Sequence, residues 1–342
     1  MPMLELSPEN ALSYLREQGW LGPDEPAEIE SLGWGVSNVV LRVTTGRGRF
    51  VLKQSRPQLR TRDAWFSDLE RVYREQEVME RLQPLLPPLT VPKVLFSDRE
   101  RFVFAMEHAP EESKVWKESL LRGEIDQEVA NRCGMILGRI HQLTAADTRL
   151  VESFGDHTVF VQLRVDPFYR RIQERRPEVA DSVGEIVERM LATKEALCHA
   201  DFSPKNILTH AQGFTLVDYE TAHFGDPAMD LGFFLSHLLL KGVKWSSRRQ
   251  EFLDLTRNFW SDYGAEVRFR PLAELQQRGI EHLAVCMLAR IDGTSPVDYL
   301  PEESKRELVR RFCRRLFAEK PATWDEVVLL FDAQFRDRFP HH

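Results

Sequence analysis

The sequence predicts an α+β fold in two parts, a five-stranded antiparallel sheet followed by a mostly helical region. Up to Glu107, short apolar runs alternate with glycine-containing and charged turns, as in β-hairpins. From Ser113 onward, apolar residues recur at helical spacing. This change of pattern predicts domains of residues 1–107 and 108–342, and a chain of 342 residues is an ordinary length for two domains.

The first part contains two helices and five strands. A capping Ser7, Pro8 at the first helical position and Gly19 at the end predict a short helix. Three strands follow in EIES, VVLRVTT and RFVLKQS, and the second helix is predicted from about Asp63 to Leu82. The runs KVLFS and RFVFAMEH, separated by a charged turn, complete the sheet.

Gly33 and Gly35 lie between the first two strands. A simple hairpin turn would explain these glycines equally well. A dinucleotide-binding unit is excluded because a strand, and not a helix, follows the glycines. A glycine loop between two strands lets backbone N–H groups approach phosphates. Ser37 and Asn38 can add further donors.

The segment from Cys198 to Gly232 holds a dense set of polar side chains: His199, Asp201, Asn206, Asp218, Glu220, Asp226 and Asp230. Within it, the apolar runs 207–208 and 214–217 predict two short strands around a turn. Asn206 therefore begins one strand and Asp218 ends the other. The two ends of such a small hairpin are expected to lie close together.

A neutral oxygen ligand beside a carboxylate suits a hard divalent cation. Magnesium bound to nucleotide phosphates takes only one or two protein carboxylates, so Asn206 and Asp218 suffice. Asp201, upstream of the hairpin, remains free to orient a nucleophile. The alternative, a loop of solvated carboxylates, does not explain the apolar strands that flank these residues.

His199, Asp201 and Asn206 form the pattern H-x-D-x-x-x-x-N, and Asp218 follows after a hairpin. This segment resembles the catalytic segment of the kinase-like phosphotransferases, which include aminoglycoside and choline kinases. The D-x-E at Asp218 and Glu220 is more similar to choline/ethanolamine and methylthioribose kinases than to typical aminoglycoside kinases. The resemblance implies a bilobal, protein-kinase-like fold.

The resemblance also implies nucleotide contacts in the first part of the chain. Lys53, in the third strand, corresponds to the lysine that holds the α- and β-phosphates. A carboxylate on the next helix would pair with this lysine. Its spacing favours Glu75, with Glu77 as the alternative. Glu107 and Ala109 lie where a hinge would meet the adenine ring through backbone groups.

In the catalytic segment, Asp201 is predicted to accept the proton of the substrate hydroxyl. Asn206 and Asp218 are the predicted metal ligands. The resemblance implies that His199 holds the loop, although a histidine can also serve as a general base. Glu220 either assists the metal through water or contacts the substrate.

Asp230 is predicted to be structural. It begins the apolar helix MDLGFFLSHLLL, where a carboxylate caps free N–H groups. The resemblance implies that it also braces the catalytic loop. Asp292 and Asp298, in a later loop, are candidates to face the acceptor.

Together these residues predict Mg²⁺-dependent transfer of the γ-phosphoryl group of ATP or GTP to a hydroxyl of a small molecule. Amino alcohols, amino sugars and pentose derivatives remain open as acceptors. A protein kinase is excluded because only eleven residues separate Asp218 from Asp230 and no A-P-E follows. The alternative is a catalytically silent nucleotide-binding module. The presence of every motif residue in order favours an enzyme.

Composition excludes several other classes. The net charge of −7 provides no basic footprint for nucleic acid. The four cysteines form no C-x-x-C pair, so neither a zinc site nor a disulfide framework is expected. No apolar run approaches the roughly 20 residues of a membrane span. The first residues lack the pattern of a signal peptide, and a cytoplasmic location is expected.

Overall fold

The computed structural model describes residues 4–33, 38–56, 67–145 and 147–336. They fall into two compact units. The first comprises Met1–Ser113 and Thr215–Glu220, and the second comprises Lys114–Phe214 and Thr221–His342. Among the described residues, no helix is both long and apolar enough to span a membrane.

The first unit is built on a five-stranded sheet with two helices. The helices are α1 (Pro8–Glu17) and α2 (Arg71–Leu82), and the strands are β1 (Ala27–Ser31), β2 (Asn38–Thr45), β3 (Gly48–Ser55), β4 (Val94–Asp98) and β5 (Val103–Glu107). The strand order is β1–β2–β3–β5–β4, and every neighbouring pair is antiparallel. The predicted five-stranded antiparallel sheet is confirmed.

The core of this unit forms where α1 covers the sheet. Tyr14 and Leu15 of α1 are buried together with Leu41 and Val43 of β2. Burying such apolar side chains stabilises the fold by about 1.5–3 kcal/mol each. The packed helix supports β2 and, beside it, the central strand β3.

The second unit begins with β6 (Lys114–Val115), α3 (Trp116–Leu121), α4 (Gln127–Thr144), α5 (Thr148–Phe154), α6 (Thr158–Phe160), a π-helical segment (Val161–Arg170), α7 (Arg171–Arg175) and α8 (Ala180–Ala192). Four short strands follow: β7 (Ala196–Cys198), β8 (Ile207–His210), β9 (Gly213–Leu216) and β10 (His223–Gly225). It ends with α9 (Pro227–Lys244), α10 (Arg249–Glu266), α11 (Leu272–Asp292), α12 (Glu303–Glu319) and α13 (Trp324–Arg336). The predicted helical region is therefore confirmed.

Short strands frame the catalytic segment. β7 pairs with β10, and β6 and β8 pair in a sheet of order β6–β8–β9. The β8–β9 hairpin was predicted, whereas the β7–β10 pair was not. Strand β9, at the edge of the second of these sheets, ends with Thr215 and Leu216, which belong to the first unit.

Two predicted helix starts are corrected. The helix predicted to begin at Asp230 is α9, which begins at Pro227. Its cap is Asp226, whose Oδ1 accepts a hydrogen bond from the backbone N–H of Ala228 at 3.0 Å. The helix predicted from Asp63 begins at Arg71 within the described residues, and 63–66 lie outside them.

A close approach between α9 and α11 requires glycine at position 232. A Cβ at Gly232 would lie 2.5 Å from the carbonyl oxygen of Gly279 and 2.5 Å from the backbone nitrogen of Leu283. Gly232→Ala is therefore expected to lower the free energy of unfolding by about 1–3 kcal/mol, as overpacking does. Urea denaturation measures this change.

The matched control is Gly184→Ala on α8. There the nearest neighbour of an added Cβ is the side-chain nitrogen of Gln173 at 3.1 Å, which can move. Helix propensity then favours alanine by about 1 kcal/mol. If the two variants have the same free energy of unfolding, α9 and α11 do not approach each other as closely at Gly232 as the structure indicates.

Candidate active site

A buried lysine on the central strand is the focus of the first unit. Lys53 of β3 pairs in register with Val40 of β2 and Phe104 of β5, and the residue is only 4% exposed. Its Nζ lies 2.5 Å from Oε2 of Glu75 on α2 and 2.7 Å from Oδ1 of Asp218. The structure thus places this lysine between a helix carboxylate and the carboxylate that follows the β8–β9 hairpin.

Electrostatics keep this lysine charged. Burial lowers the pKa of Lys53. The carboxylates of Asp218, Glu75 and Glu220 raise it by more than burial lowers it, so the pKa lies well above its ordinary value. Burial raises the pKa of Glu75, and Lys53 opposes that effect. An ammonium this deeply buried is tolerated only because carboxylates contact it.

Glu220 belongs to the same group of side chains. Its Oε2 accepts a hydrogen bond from Arg71 Nε at 3.0 Å and another from Asn38 Nδ2 at 2.7 Å. Arg71 is 1% exposed and also donates to the backbone oxygens of Asp68 and Arg56. Glu220 is therefore held by one cation and one amide.

The donor set of this group suits a hard cation. It contains three carboxylates, on Glu75, Asp218 and Glu220, against the two basic groups of Lys53 and Arg71, so one negative charge is in excess when all are ionised. Carboxylate oxygens are the ligands that Mg²⁺ prefers. The residues present therefore fit a divalent cation.

The backbone at Asp218 is unusual. Its φ of 72° lies in the left-handed region, which costs a residue other than glycine of order 1–3 kcal/mol. The carboxylate bond to Lys53 and the bond from the neighbouring Tyr219 N–H to Glu75 Oε1, at 3.3 Å, hold this conformation. The strain positions the side chain of Asp218 toward the lysine.

The other predicted nucleotide residues are only partly described. Gly33 ends the first described stretch, and a Cβ there would meet no atom within 4 Å. Gly35 and Ser37 lie outside the described residues. Glu107 ends β5, where its N–H donates to the carbonyl of Lys93 at 2.9 Å, and the Ala109 carbonyl lies 2.5 Å from His108 Nδ1.

The loop that follows β7 in the second unit, residues 199–206, is organised around Asp201. Its Oδ2 lies 2.9 Å from Arg164 Nη2 of the π-helical segment, and Arg164 Nε also donates to the carbonyl of Ala200. Asn206 Nδ2 donates to the carbonyl of Asp201 at 2.9 Å. This bond uses the amide nitrogen of Asn206, so the amide oxygen, which a hard cation would bind, remains for another partner.

The side chains of His199 and Asp230 hold this loop through hydrogen bonds to its backbone N–H groups. The Nδ1 of His199 accepts the N–H of Asp201 at 3.2 Å, and both residues are buried. The carboxylate of Asp230, which is 0% exposed, accepts the N–H of His199 at 2.8 Å and the N–H of Ala200 at 2.7 Å. Ala200 has a left-handed φ of 59°, and these two bonds fix it.

One group of side chains in the described part of the chain could be mistaken for a metal site. His141, Cys198 and Asp230 offer ligand atoms within 4.8 Å of one another. However, both oxygens of Asp230 already accept backbone N–H groups, and burial raises the pKa of the Cys198 thiol well above its usual value. A protonated thiol is a poor ligand, so the group acts as a brace.

Acid is expected to destabilise the second unit through its buried aspartates. Burial raises the pKa of Asp226 and Asp230, but His282 beside Asp226 and His141 beside Asp230, with backbone N–H donors, lower it below the ordinary value. In an unfolded chain, the pKa of an aspartate side chain is about 3.9. The stabilisation is thus fully present above that pH and is lost as the pH falls toward the folded pKa values.

Urea denaturation between about pH 3 and pH 6 measures this loss, and the free energy of unfolding is expected to fall below about pH 4. Asp230→Asn removes one of the two groups and should flatten the decline. An equally steep decline in the variant would contradict the assignment.

Two functional candidates were missed from the sequence. Arg164 pairs with Asp201 across 37 positions of sequence, and no local pattern signals such a pair. Arg71 precedes Glu75 by one helical turn, so an arginine on the face of the predicted carboxylate could have been noticed. Of the acceptor candidates, Asp292 forms ion pairs with Arg310 and Arg176.

Comparisons with known proteins agree with this architecture. A model described as the phosphotransferase enzyme family matches residues 28–275. A methylthioribose kinase of Exiguobacterium sibiricum is 26% identical over 287 residues, which cover 76% of this chain and 73% of that protein. A methylthioribose kinase of Citrobacter koseri is 24% identical over 311 residues, which cover 79% of this chain and 76% of that protein.

Solved structures share the fold. The ethanolamine kinase of Plasmodium vivax has a TM-score of 0.57 and 11% identity, covering 94% of this chain and 99% of its own. An amicoumacin kinase, solved with AMP-PNP and Ca²⁺, has a TM-score of 0.55 and 14% identity, covering 92% and 96%. The resemblance inferred from the H-x-D-x-x-x-x-N segment is confirmed. The chain belongs to the phosphotransferase enzyme family and is a kinase-like phosphotransferase enzyme.

Proposed function

We propose that this enzyme transfers the γ-phosphoryl group of ATP, with Mg²⁺, to a hydroxyl group of a small molecule. The observation that carries the proposal is the buried Lys53, held at 2.5 Å by Glu75 and at 2.7 Å by Asp218. A charged lysine fixed on a rigid central strand is suited to hold nucleotide phosphates. Such charge neutralisation supplies most of the catalysis in phosphoryl transfer.

In the proposed step, the acceptor oxygen forms a bond to the γ-phosphorus, and the bond from that phosphorus to the ADP oxygen breaks. The hydroxyl proton passes to the carboxylate of Asp201. Arg164 pairs with that carboxylate, and Asn206 Nδ2 holds the backbone carbonyl of the same residue. Asp201 thus aims the acceptor oxygen as well as taking its proton.

The proposal keeps Asp218 and Asn206 as metal ligands because of their sequence pattern and donor chemistry. When bound, Mg²⁺ neutralises charge on the β- and γ-phosphates. Glu220, held by Arg71 and Asn38, is proposed to position Asp218, two residues before it, and not to accept a proton. Gly33, Gly35, Ser37, Glu107 and Ala109 are proposed to contact the nucleotide.

Relatives with the same fold are named for methylthioribose and ethanolamine, so the acceptor is proposed to be an amino alcohol, an amino sugar or a pentose derivative. A coupled ADP-release screen over these three classes, with ATP and GTP in parallel, tests the proposal. Acceptor-dependent release that requires Mg²⁺ supports it. Nucleotide binding without turnover of any acceptor would instead indicate a silent binding module.

Lys53→Met is expected to weaken Mg·ATP binding about tenfold to a hundredfold, because a charge-assisted hydrogen bond contributes roughly 1.5–3 kcal/mol. Titration calorimetry measures the dissociation constant. The double variant Lys53→Met/Glu75→Gln removes both charges of the ion pair, so it leaves no unpaired carboxylate at position 75. Comparing its melting temperature with those of the wild type and Lys53→Met separates a loss of ATP binding from a loss of folding. The control, Lys194→Met, alters an exposed lysine and should leave binding unchanged. Unaltered ATP affinity in both position-53 variants would exclude this lysine from the nucleotide site.

A further inference from the structure

The second unit contains a buried lysine that, unlike Lys53, has no carboxylate partner among the described residues. Lys241 of α9 is 1% exposed. Its Nζ donates to the carbonyl oxygen of His237 at 3.1 Å and lies 5.5 Å from the ring centre of Tyr299. Within the described part of the chain, no carboxylate lies within ion-pair distance of it. Burying the side-chain nitrogen of a lysine without a carboxylate beside it is costly and calls for a partner.

More basic side chains surround this lysine. Burial lowers the pKa of Lys241 well below its usual value, and Lys117 and Arg290 lower it further. Neither Lys117 nor Arg290 has an ion-pair partner among the described residues. Burial lowers the pKa of both side chains, and the carboxylate of Asp298 opposes that effect. The basic cluster, defined as Lys117, Lys241 and Arg290, thus gathers three basic side chains in a chain whose net charge is −7.

Unpartnered polar atoms accompany the basic cluster. The Nε of Arg290, the Nε2 of His237 and the hydroxyl of Tyr299 are buried atoms without a hydrogen-bond partner in the described residues. Burial, followed by Lys241, lowers the pKa of His237 well below its usual value, so its ring is neutral. Buried donors of this kind are rarely left unsatisfied in folded proteins.

The basic cluster adjoins the loop of the proposed base. The backbone N–H of Lys117 donates to the carbonyl of Pro204 at 2.8 Å, three residues after Asp201. Arg164, which pairs with Asp201 at 2.9 Å, influences the pKa of Arg290, as does Asp201 itself. All these residues belong to the second unit. A molecule whose hydroxyl meets Asp201 would therefore lie beside the basic cluster.

Packing alone does not explain this arrangement. A lysine that only fills space in a core could be replaced by an apolar side chain without a desolvation cost. A lysine that only forms an ion pair would have a carboxylate, and the chain holds 53 acidic residues that could have supplied one. Three basic side chains, with unpartnered buried polar atoms on His237 and Tyr299 beside them, are the complement of an anion.

We propose that the acceptor carries an anionic group, a carboxylate or a phosphate, which the basic cluster binds while the acceptor hydroxyl meets Asp201. The inference rests on the proposed function, and it narrows the acceptor class. A cationic amino alcohol or amino sugar would meet like charge and is disfavoured. A pentose derivative or other polyol with a negative charge is favoured.

Equilibrium binding to the full chain, measured by titration calorimetry, tests the inference without turnover. The probes are matched by shape: ribose 5-phosphate against ribose for a phosphate, gluconate against sorbitol for a carboxylate, with choline as the cationic probe. At least one anionic member is expected to bind about tenfold or more tightly than its neutral counterpart. Equal binding within both pairs, or tighter binding of choline, would overturn the inference.

Lys241→Met/Lys117→Gln is expected to raise the dissociation constant of the anionic probe about tenfold to a hundredfold and to leave that of the neutral probe unchanged. The melting temperature of this variant should be equal or higher, because a buried basic group without a carboxylate partner is removed. The control is Lys244→Met, at the end of the same helix, which should retain the preference. A preserved preference in the double variant, or a loss confined to Mg·ATP binding, would overturn the assignment.

Turnover separates this inference from the proposed function. If the enzyme phosphorylates neutral or cationic acceptors in preference to anionic ones, the proposed function stands and the inference fails. If no probe is phosphorylated with Mg·ATP, the proposed function fails, and the binding preference still decides whether the cluster recognises an anion.

Discussion

Asp201→Asn is expected to lower kcat about 10²–10⁴-fold, the range that positioned acid–base catalysis contributes. Asparagine has the same shape and can still accept the hydrogen bond from Arg164, which lies 2.9 Å from the carboxylate. It cannot take the hydroxyl proton. Because nucleotide contacts are proposed to lie elsewhere, the dissociation constant of Mg·ATP should change less than twofold. Steady-state kinetics and titration calorimetry on the same preparation measure both quantities.

The matched control is Asp166→Asn, which alters an aspartate of the same π-helical segment as Arg164. Asp166 is half-exposed and forms a surface ion pair with Arg170 at 2.6 Å. Such a pair contributes only about 0.3–0.5 kcal/mol, so activity and stability should be retained. A kcat within threefold of the wild type in Asp201→Asn would show that this carboxylate is not the base.

Asp230→Ala is expected to lower the free energy of unfolding by about 3–5 kcal/mol, the cost of breaking a buried charged network by removing one partner. The substitution leaves the N–H groups of His199 and Ala200 without their acceptor, and His141 without its carboxylate. The left-handed conformation of Ala200 would lose its support. Urea denaturation monitored by tryptophan fluorescence measures the change.

The control for this variant is Asp126→Ala. Asp126 is the exposed cap of α4 and accepts one backbone N–H, that of Glu128 at 3.0 Å. Losing a cap of this kind costs about 1 kcal/mol. Should the two aspartate variants lose equal stability, Asp230 would be an ordinary helix residue and not the brace of the catalytic loop.

Local patterns explain what could be predicted. The strands of the sheet follow from runs of β-branched and apolar residues between turns, and such patterns depend on near neighbours only. The pairing of Lys53 with Glu75 followed from helix spacing and the family resemblance, and the structure places these two side chains 2.5 Å apart. The β8–β9 hairpin was recognised in the same way.

Long-range contacts explain what could not be predicted. Arg164 reaches Asp201 from a π-helical segment, and its own neighbours in sequence carry no sign of that partner. The start of α9 was misplaced because both Asp226 and Asp230 can cap a helix. The carboxylate of Asp230 instead accepts the N–H groups of His199 and Ala200, about thirty positions earlier in the sequence.

The basic cluster illustrates the same limit. Lys117, Lys241 and Arg290 lie on three different helices, and each looks like a solvated residue in its own segment. Their significance appears only when the fold brings them together and no carboxylate within the described ranges pairs with them. For this reason the sequence alone left amino alcohols, amino sugars and pentose derivatives equally open as acceptors.

Phosphorus-31 NMR of the enzyme with ATP, Mg²⁺ and the best acceptor from the screen shows directly whether the γ-phosphoryl group reaches the acceptor hydroxyl. We expect the γ-phosphate resonance of ATP to decline while the resonances of ADP and a new phosphate ester of the acceptor grow. Neither change should occur at a comparable rate in Asp201→Asn. Transfer of the γ-phosphate only to water, with no ester formed, would contradict the account.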